Sequence, residues 1–125
     1  GEPAYDAWML EQFKNFIDVV SSGGSQIVWL STPDVDPPFI AGETGVPPFD
    51  EADQKRSARY NELIQQFAED DDRVVFADFA SAVKAHPGGE FESKMRPDGA
   101  HIDLKYAPEL VTWLDQMIRD VYVAP

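Results

Sequence analysis

The chain has 125 residues, 43% of them hydrophobic and 12% aromatic, which suffices for one modest core and places it within single-domain size. Its formal net charge of −13 opposes binding to a phosphate backbone or to anionic lipid, so neither nucleic acid nor a negatively charged membrane surface is an expected partner. There is no cysteine, which excludes disulfides, thiolate catalysis and cysteine-based zinc sites.

The first predicted element is a helix over about residues 4–20. After Pro3, apolar side chains recur at Met9, Phe13, Phe16, Ile17 and Val20, the spacing of one helical face, and Ser21-Ser22-Gly23-Gly24 stops it. Residues 26–31 form a short, almost wholly apolar run with β-branched members. Such a run suits a strand covered on both faces in a parallel sheet. From Thr32 to Asp50 five prolines stand among glycines and carboxylates, too many breakers for regular structure, and the stretch reads as a site loop. Asp50 is the expected cap of a helix over about 51–69, which presents Tyr60, Leu63, Ile64 and Phe67 on one side. A second buried-type strand is predicted over 73–78, so that residues 26–78 make a strand, loop, helix, strand unit with parallel strands. A short helix from Phe79 to Ala85 ends at His86-Pro87-Gly88-Gly89. The last helix, about 107–121, starts with Pro108 in its first turn and carries Ala107, Leu110, Val111, Leu114 and Ile118 on its apolar face. No apolar run approaches the roughly 18 residues of a membrane span.

Chemistry is concentrated ahead of that last helix, in Arg96-Pro97-Asp98-Gly99-Ala100-His101-Ile102. A histidine that takes a proton from a weak nucleophile needs a carboxylate on its other ring nitrogen, to fix the tautomer and stabilise the imidazolium as it forms. Asp98, three positions earlier in a tight turn, is placed to do this for His101. The same residues also fit an ordinary Asp-Gly turn with a partly exposed histidine. Ser31, at the C-terminal end of a predicted parallel strand, is the best internal nucleophile candidate, but Leu-Ser-Thr-Pro is not the Gly-x-Ser-x-Gly of a nucleophile elbow. Asp34, Asp36, Glu43, Asp50, Glu51 and Asp53 do not follow the spacing of a calcium loop and read as a solvated acidic loop. His86 is expected in an exposed loop, Trp29 and Trp113 in the core. Arg96 is either a surface charge or a residue that holds its loop by pairing with a carboxylate.

Arg-Pro-Asp-Gly-x-His ahead of a terminal helix resembles the last block of SGNH (GDSL-type) hydrolases, and is most similar to the version in extracytoplasmic domains linked to membrane acyltransferases. Ile27-Val28-Trp29-Leu30-Ser31-Thr32-Pro33 resembles the family's fourth strand and exit loop, Arg59-Tyr60-Asn61 the helix that follows, and Val74-Val75-Phe76-Ala77-Asp78 the fifth strand. The resemblance implies a three-layer α/β/α, flavodoxin-like parallel sheet with strand order 2-1-3-4-5, of which only the C-terminal part is present. Gly-Asp-Ser, the oxyanion-hole glycine block and Gly-x-Asn-Asp do not occur in the sequence.

On this resemblance His101 and Asp98 are the catalytic base and its orienting carboxylate, and Thr32, Pro33, Phe39 and Arg96 are candidate substrate-binding residues. The implied activity is that of a serine esterase or O-acyltransferase acting on acyl, especially acetyl, esters of an envelope carbohydrate, with neither metal nor organic cofactor. The expected partners are such an ester substrate and either a missing N-terminal half of the domain or a second copy pairing through strand 26–31. The isolated chain is expected to be inactive, and an extracytoplasmic or membrane-tethered location would rest on a segment outside this chain. The competing expectation is a non-catalytic SGNH-like binding module; an acidic domain that masks a basic partner has only the net charge behind it.

Overall fold

A computed structural model describes residues 2–36 and 53–122. The elements in chain order are α1 (Pro3–Val20), β1 (Ile27–Leu30), α2 (Gln54–Asp70), β2 (Val74–Ala77), a short α3 (Phe79–Lys84), a 3-10 turn (Leu104–Tyr106) and α4 (Ala107–Tyr122). The strands pair in parallel, with Ile27 opposite Val74 and Leu30 opposite Ala77. The ladder continues one residue beyond the strand at its C-terminal end, where the Ser31 amide donates to the Ala77 carbonyl at 2.9 Å. These parallel strands and the surrounding helices form a partial α/β fold, as the alternation of apolar runs and helical periodicities led one to expect.

Side-chain alternation puts Ile27 and Trp29 of β1 on the same face as Val74 and Phe76 of β2. That face meets α1 and α2, and the core forms between them from Phe13, Ile17, Leu63, Ile64, Phe67 and Val74, with Trp29 and Tyr60 packed at its margin. The aromatic rings meet edge to face: Phe13 lies 4.9 Å from Trp29, 5.6 Å from Tyr60 and 6.0 Å from Phe67 between ring centres. Such geometry sets the positive ring edge against the negative face and adds to plain burial. Trp29 is thus half-buried against the core, and Trp113 of α4 is half-buried against Phe79, 5.8 Å away.

The ends of the elements are set by local chemistry. Pro3 fits the first turn of α1, where its missing N–H costs nothing. At the other end the Ser21 hydroxyl donates back to the Ile17 carbonyl at 2.6 Å, and Gly24 turns the chain away with φ +84. Helix α2 begins at Gln54 and is capped by Asp53, whose carboxylate accepts from the Lys55 amide at 3.0 Å; the expected cap, Asp50, lies outside the described residues. Asp78 caps α3 through the Ser81 amide at 3.1 Å. Ion pairs cross between elements as well: Arg59 of α2 reaches Asp6 of α1 at 2.8 Å, and Arg73, just before β2, reaches Asp18 of α1 at 2.9 Å and Asp71 at 2.6 Å. No helix among the described residues is long and apolar enough to cross a membrane.

Ile64 is fully enclosed where α1, α2 and the sheet meet. Truncating it to alanine leaves a cavity that the surrounding rings are too rigid to fill, at a cost of about 2–5 kcal/mol. In urea unfolding Ile64→Ala is expected to lower the unfolding free energy by that amount, read as a lower midpoint with an unchanged slope, whereas Gln65→Ala, its exposed neighbour on the same helix, leaves the midpoint where it was.

Candidate active site

The parallel register brings the C-terminal ends of β1 and β2 side by side, and the segments leaving them build the site. Ser31 follows β1 directly and is 2% exposed. Its hydroxyl donates to the Asp78 carboxylate at 3.0 Å and accepts from the Ala80 amide at 2.8 Å. Ser31 is therefore a latch between the exit of β1 and the start of α3, with its hydroxyl committed in both directions. As a nucleophile candidate it is ruled out by that burial and those bonds. The next residue is fixed from the other side, because the Asn61 side-chain amide accepts from the Thr32 N–H at 2.8 Å and donates to the Thr32 carbonyl at 2.9 Å. Thr32 stays exposed and Pro33 half-buried, and Asp34 turns inward to meet Lys84 at 3.0 Å. Thr32 and Pro33 thus stand at the strand exit, as the sequence led one to expect, while Phe39 lies outside the described residues.

This exit loop touches the Asp98 turn through its backbone, where the Asp36 N–H donates to the Gly99 carbonyl at 3.0 Å. Gly99 takes φ +71, a left-handed conformation that a β-carbon would oppose. With the chain so turned, one oxygen of Asp98 accepts two amides, from Ala100 at 2.9 Å and from His101 at 2.7 Å. The other oxygen lies 2.6 Å from His101 Nδ1. An ionised carboxylate only accepts, so Nδ1 carries the proton and Nε2 is left with its lone pair. The imidazole is 89% exposed, and no side chain among the described residues bonds its Nε2. The His101 contact, followed by the two amides, holds the Asp98 carboxyl well below the usual carboxylate range.

Arg96 anchors the turn from beneath. It is 3% exposed; Nε and Nη2 donate to the Ala100 carbonyl at 3.0 and 2.9 Å, Nη1 donates to the Glu90 carbonyl at 3.3 Å, and the guanidinium lies over the Phe91 ring. Burial pushes the guanidinium below its ordinary value. All three donor nitrogens thus serve backbone carbonyls, which corrects both the surface-charge reading and the expectation of carboxylate pairing. Arg96 thus holds the turn behind Asp98 and His101 through the Ala100 carbonyl. Nearby, the exposed Lys84 lies between Asp34 and Glu90, and burial raises the Glu90 carboxyl. His86 is half-buried with its ring edge against Tyr106, 5.4 Å away, and accepts from the Gly88 amide, so it packs where an exposed loop was expected. Among the described residues no group of three or more His, Cys, Asp or Glu side chains could hold a metal ion.

Sequence reading found Asp98, His101 and the strand exit. It missed the Asn61 clamp, the Ser31 latch and the inward path of Arg96. The Asp78-x-x-Ser81 spacing was a readable cap signal, but partners 29 and 49 positions away in sequence, as for Asn61 with Thr32 and Ala80 with Ser31, leave no local trace.

Parallel strands joined through a helix, with an Asp–His turn beside their C-terminal ends, define a partial α/β fold of the kind found in an esterase domain. No protein-family profile and no curated protein matches the sequence. Among solved structures the chain is similar to the esterase domain of the ZfL2-1 ORF1 protein from the zebrafish ZfL2-1 retrotransposon, with a TM-score of 0.60 and 18% sequence identity. The match covers 93% of this chain and 60% of that one, so the chain spans about three fifths of its neighbour's length. At that identity the likeness establishes an esterase-like fold.

The Asp98 carboxyl has a lower pKa in the folded turn than its ordinary value of 3.8. Its contribution to stability is therefore complete above pH 3.8 and is lost as pH falls through the lower, folded value. A carboxyl-carbon NMR titration is expected to give Asp98 a midpoint below 3.8; a midpoint at or above it would mean that the bond to His101 does not form in solution. Arg96→Lys keeps the charge but not the planar fork, leaving a buried carbonyl short of a donor. It is expected to lower unfolding stability by about 1–3 kcal/mol and to broaden the His101 Nδ1 proton resonance.

Proposed function

We propose that this chain carries the acid–base half of a serine esterase or O-acyltransferase active site, with His101 as general base and Asp98 as its orienting carboxylate. The observation that carries the reading is the 2.6 Å contact from Asp98 to His101 Nδ1 on an imidazole otherwise open to solvent. An esterase-like fold and the location beside the strand ends support it.

In the proposed reaction a serine from polypeptide outside the described residues gives its proton to His101 Nε2 as its oxygen attacks the ester carbonyl. Asp98 stabilises the imidazolium so formed, and the imidazolium then passes the proton to the departing alkoxide as the acyl–oxygen bond breaks. A second hydroxyl, deprotonated by the same Nε2, takes the acyl group from the serine; water gives hydrolysis and a sugar hydroxyl gives transfer. Thr32 and Pro33, at the strand exit that contacts the turn, are the proposed lining of the substrate side. Acetylated carbohydrate is the proposed substrate class, and the proposed setting is extracytoplasmic, through a segment outside this chain.

The isolated chain is expected to leave an activated acetate ester at its buffer rate. In polypeptide extended upstream of Gly1, Asp98→Asn is expected to lower kcat by about 10⁴-fold through the wrong tautomer, and His101→Ala to abolish turnover. Turnover by the isolated chain that disappears with His101→Ala would overturn the division of the site. The second reading, a non-catalytic binding module, is favoured by one observation: no serine hydroxyl among the described residues bonds His101. Carbohydrate binding that survives His101→Ala, with no ester cleavage in the extended polypeptide, would support it.

A further inference from the structure

A cleft of about 850 Å³ opens between the first turns of α1 and α2, and Thr32, just beyond the end of β1, reaches its wall. Tyr5, Met9, Tyr60 and Leu63 give it an apolar and largely aromatic lining. Such a volume and such a lining are those of a small-molecule site. Of these residues only Thr32 enters the reaction proposed above.

The charges in the wall balance: Glu2, Asp6 and Asp53 stand against Lys55, Arg56 and Arg59, in a chain whose net charge is −13. Asp6 and Arg59 are also paired with each other at 2.8 Å, and Asp53 is engaged as the cap of α2. An anion or a cation therefore meets as much repulsion as attraction. An aliphatic chain would strip water from charged walls with nothing in return. The uncommitted groups are uncharged. No hydrogen bond joins the hydroxyls of Tyr5, Thr32, Ser57 and Tyr60 to another described residue. Tyr60 is half-buried, and burial pushes its phenol above its ordinary value, while Tyr5 stays 55% exposed. Free hydroxyls beside open ring faces fit a ligand that is neutral, rich in hydroxyls and apolar on one face. A pyranose ring answers that description, since its C–H face lies on an aromatic ring while its rim exchanges hydrogen bonds.

We propose that this cleft is a carbohydrate subsite, which binds neutral sugar rings at a distance from the reacting ester. Its connection to the Asp98 turn is short. Asp36, whose amide donates to the Gly99 carbonyl, comes four residues after Thr32, and a segment of that length spans at most about 14 Å. Cleft and turn thus flank one short segment, and an oligosaccharide held in the cleft extends past Thr32 toward His101. Rings bound there supply binding energy remote from the reacting bond, which selects glycan esters over small esters. The inference rests on the proposed function in that last step alone, because the cleft binds sugar whether or not His101 acts as a base.

NMR titration of the isolated chain with two neutral trisaccharides, cellotriose and triacetylchitotriose, tests it without reference to catalysis. Resonances of Tyr5, Ser57 and Tyr60 are expected to shift with at least one of them, and to stay in place with inorganic phosphate and with octanol. Tyr60→Phe, which keeps the ring and removes the hydroxyl, is expected to weaken sugar binding by about threefold to tenfold. Tyr5→Ala is expected to weaken it by about tenfold, and Gln65→Ala, outside the cleft on α2, to leave it unchanged. Shifts with phosphate or octanol but not with sugar would assign the cleft to an anion or an acyl chain and overturn the proposal. Sugar binding that both tyrosine variants leave at full strength overturns it too, as does a cleft that answers to no probe. Sugar binding in the cleft, with no ester cleavage by polypeptide extended upstream of Gly1, retains this inference and removes the esterase reading. Ester cleavage with a cleft indifferent to sugar does the reverse.

Discussion

Parallel pairing of β1 with β2 is the constraint from which the rest follows. Two parallel strands have their C-terminal ends on one side, and whatever leaves those ends is delivered to a common place. From β1 comes the segment through Asp36, and from β2 comes Asp78 with α3. The Ser31 hydroxyl binds the two exits to each other, accepting from Ala80 and donating to Asp78. Without that register the Asp36 amide would not meet the Gly99 carbonyl, and the Asp98 turn would have no fixed neighbour.

The turn itself illustrates how an exposed group can be held rigidly. His101 has almost no packing, so its orientation comes from hydrogen bonds alone. Asp98 uses one oxygen for two backbone amides and the other for the ring, which leaves the carboxylate a single useful orientation. The carbonyl of Ala100, between them, is in turn gripped by two nitrogens of Arg96. The buried guanidinium is costly to desolvate, and that cost is offset by three charge-assisted bonds and the face of Phe91. Rigidity is thus passed outward from a buried cation, through one carbonyl, to an imidazole in solvent.

The apolar surface of the described residues is packed unevenly. Between α1, α2 and the sheet the packing is closed, with Ile17 and Ile64 fully enclosed and aromatic edges turned onto aromatic faces. Around α4 no side chain among the described residues of that helix is fully buried, although its sequence is strongly amphipathic. An amphipathic helix gains stability by burying one face, and among the described residues that face of α4 meets Leu30 and Phe79.

The sequence by itself determined the elements and the pair Asp98 and His101. Helical periodicity in α1, α2 and α4 and the two β-branched runs are local patterns, and an Asp-Gly-x-His turn places its carboxylate within reach of its own histidine without help from distant residues. The parallel α/β character was legible for the same reason, since a helix between two apolar runs permits little else. Only the tertiary structure decided what Ser31, Asn61 and Arg96 do. Ser31 is a latch because Asp78 and Ala80 fold against it, and Arg96 is buried behind the turn because the carbonyls of Glu90 and Ala100 converge on it. A side chain's role depends on which partners reach it and whether water does, and neither is a property of its neighbours in sequence.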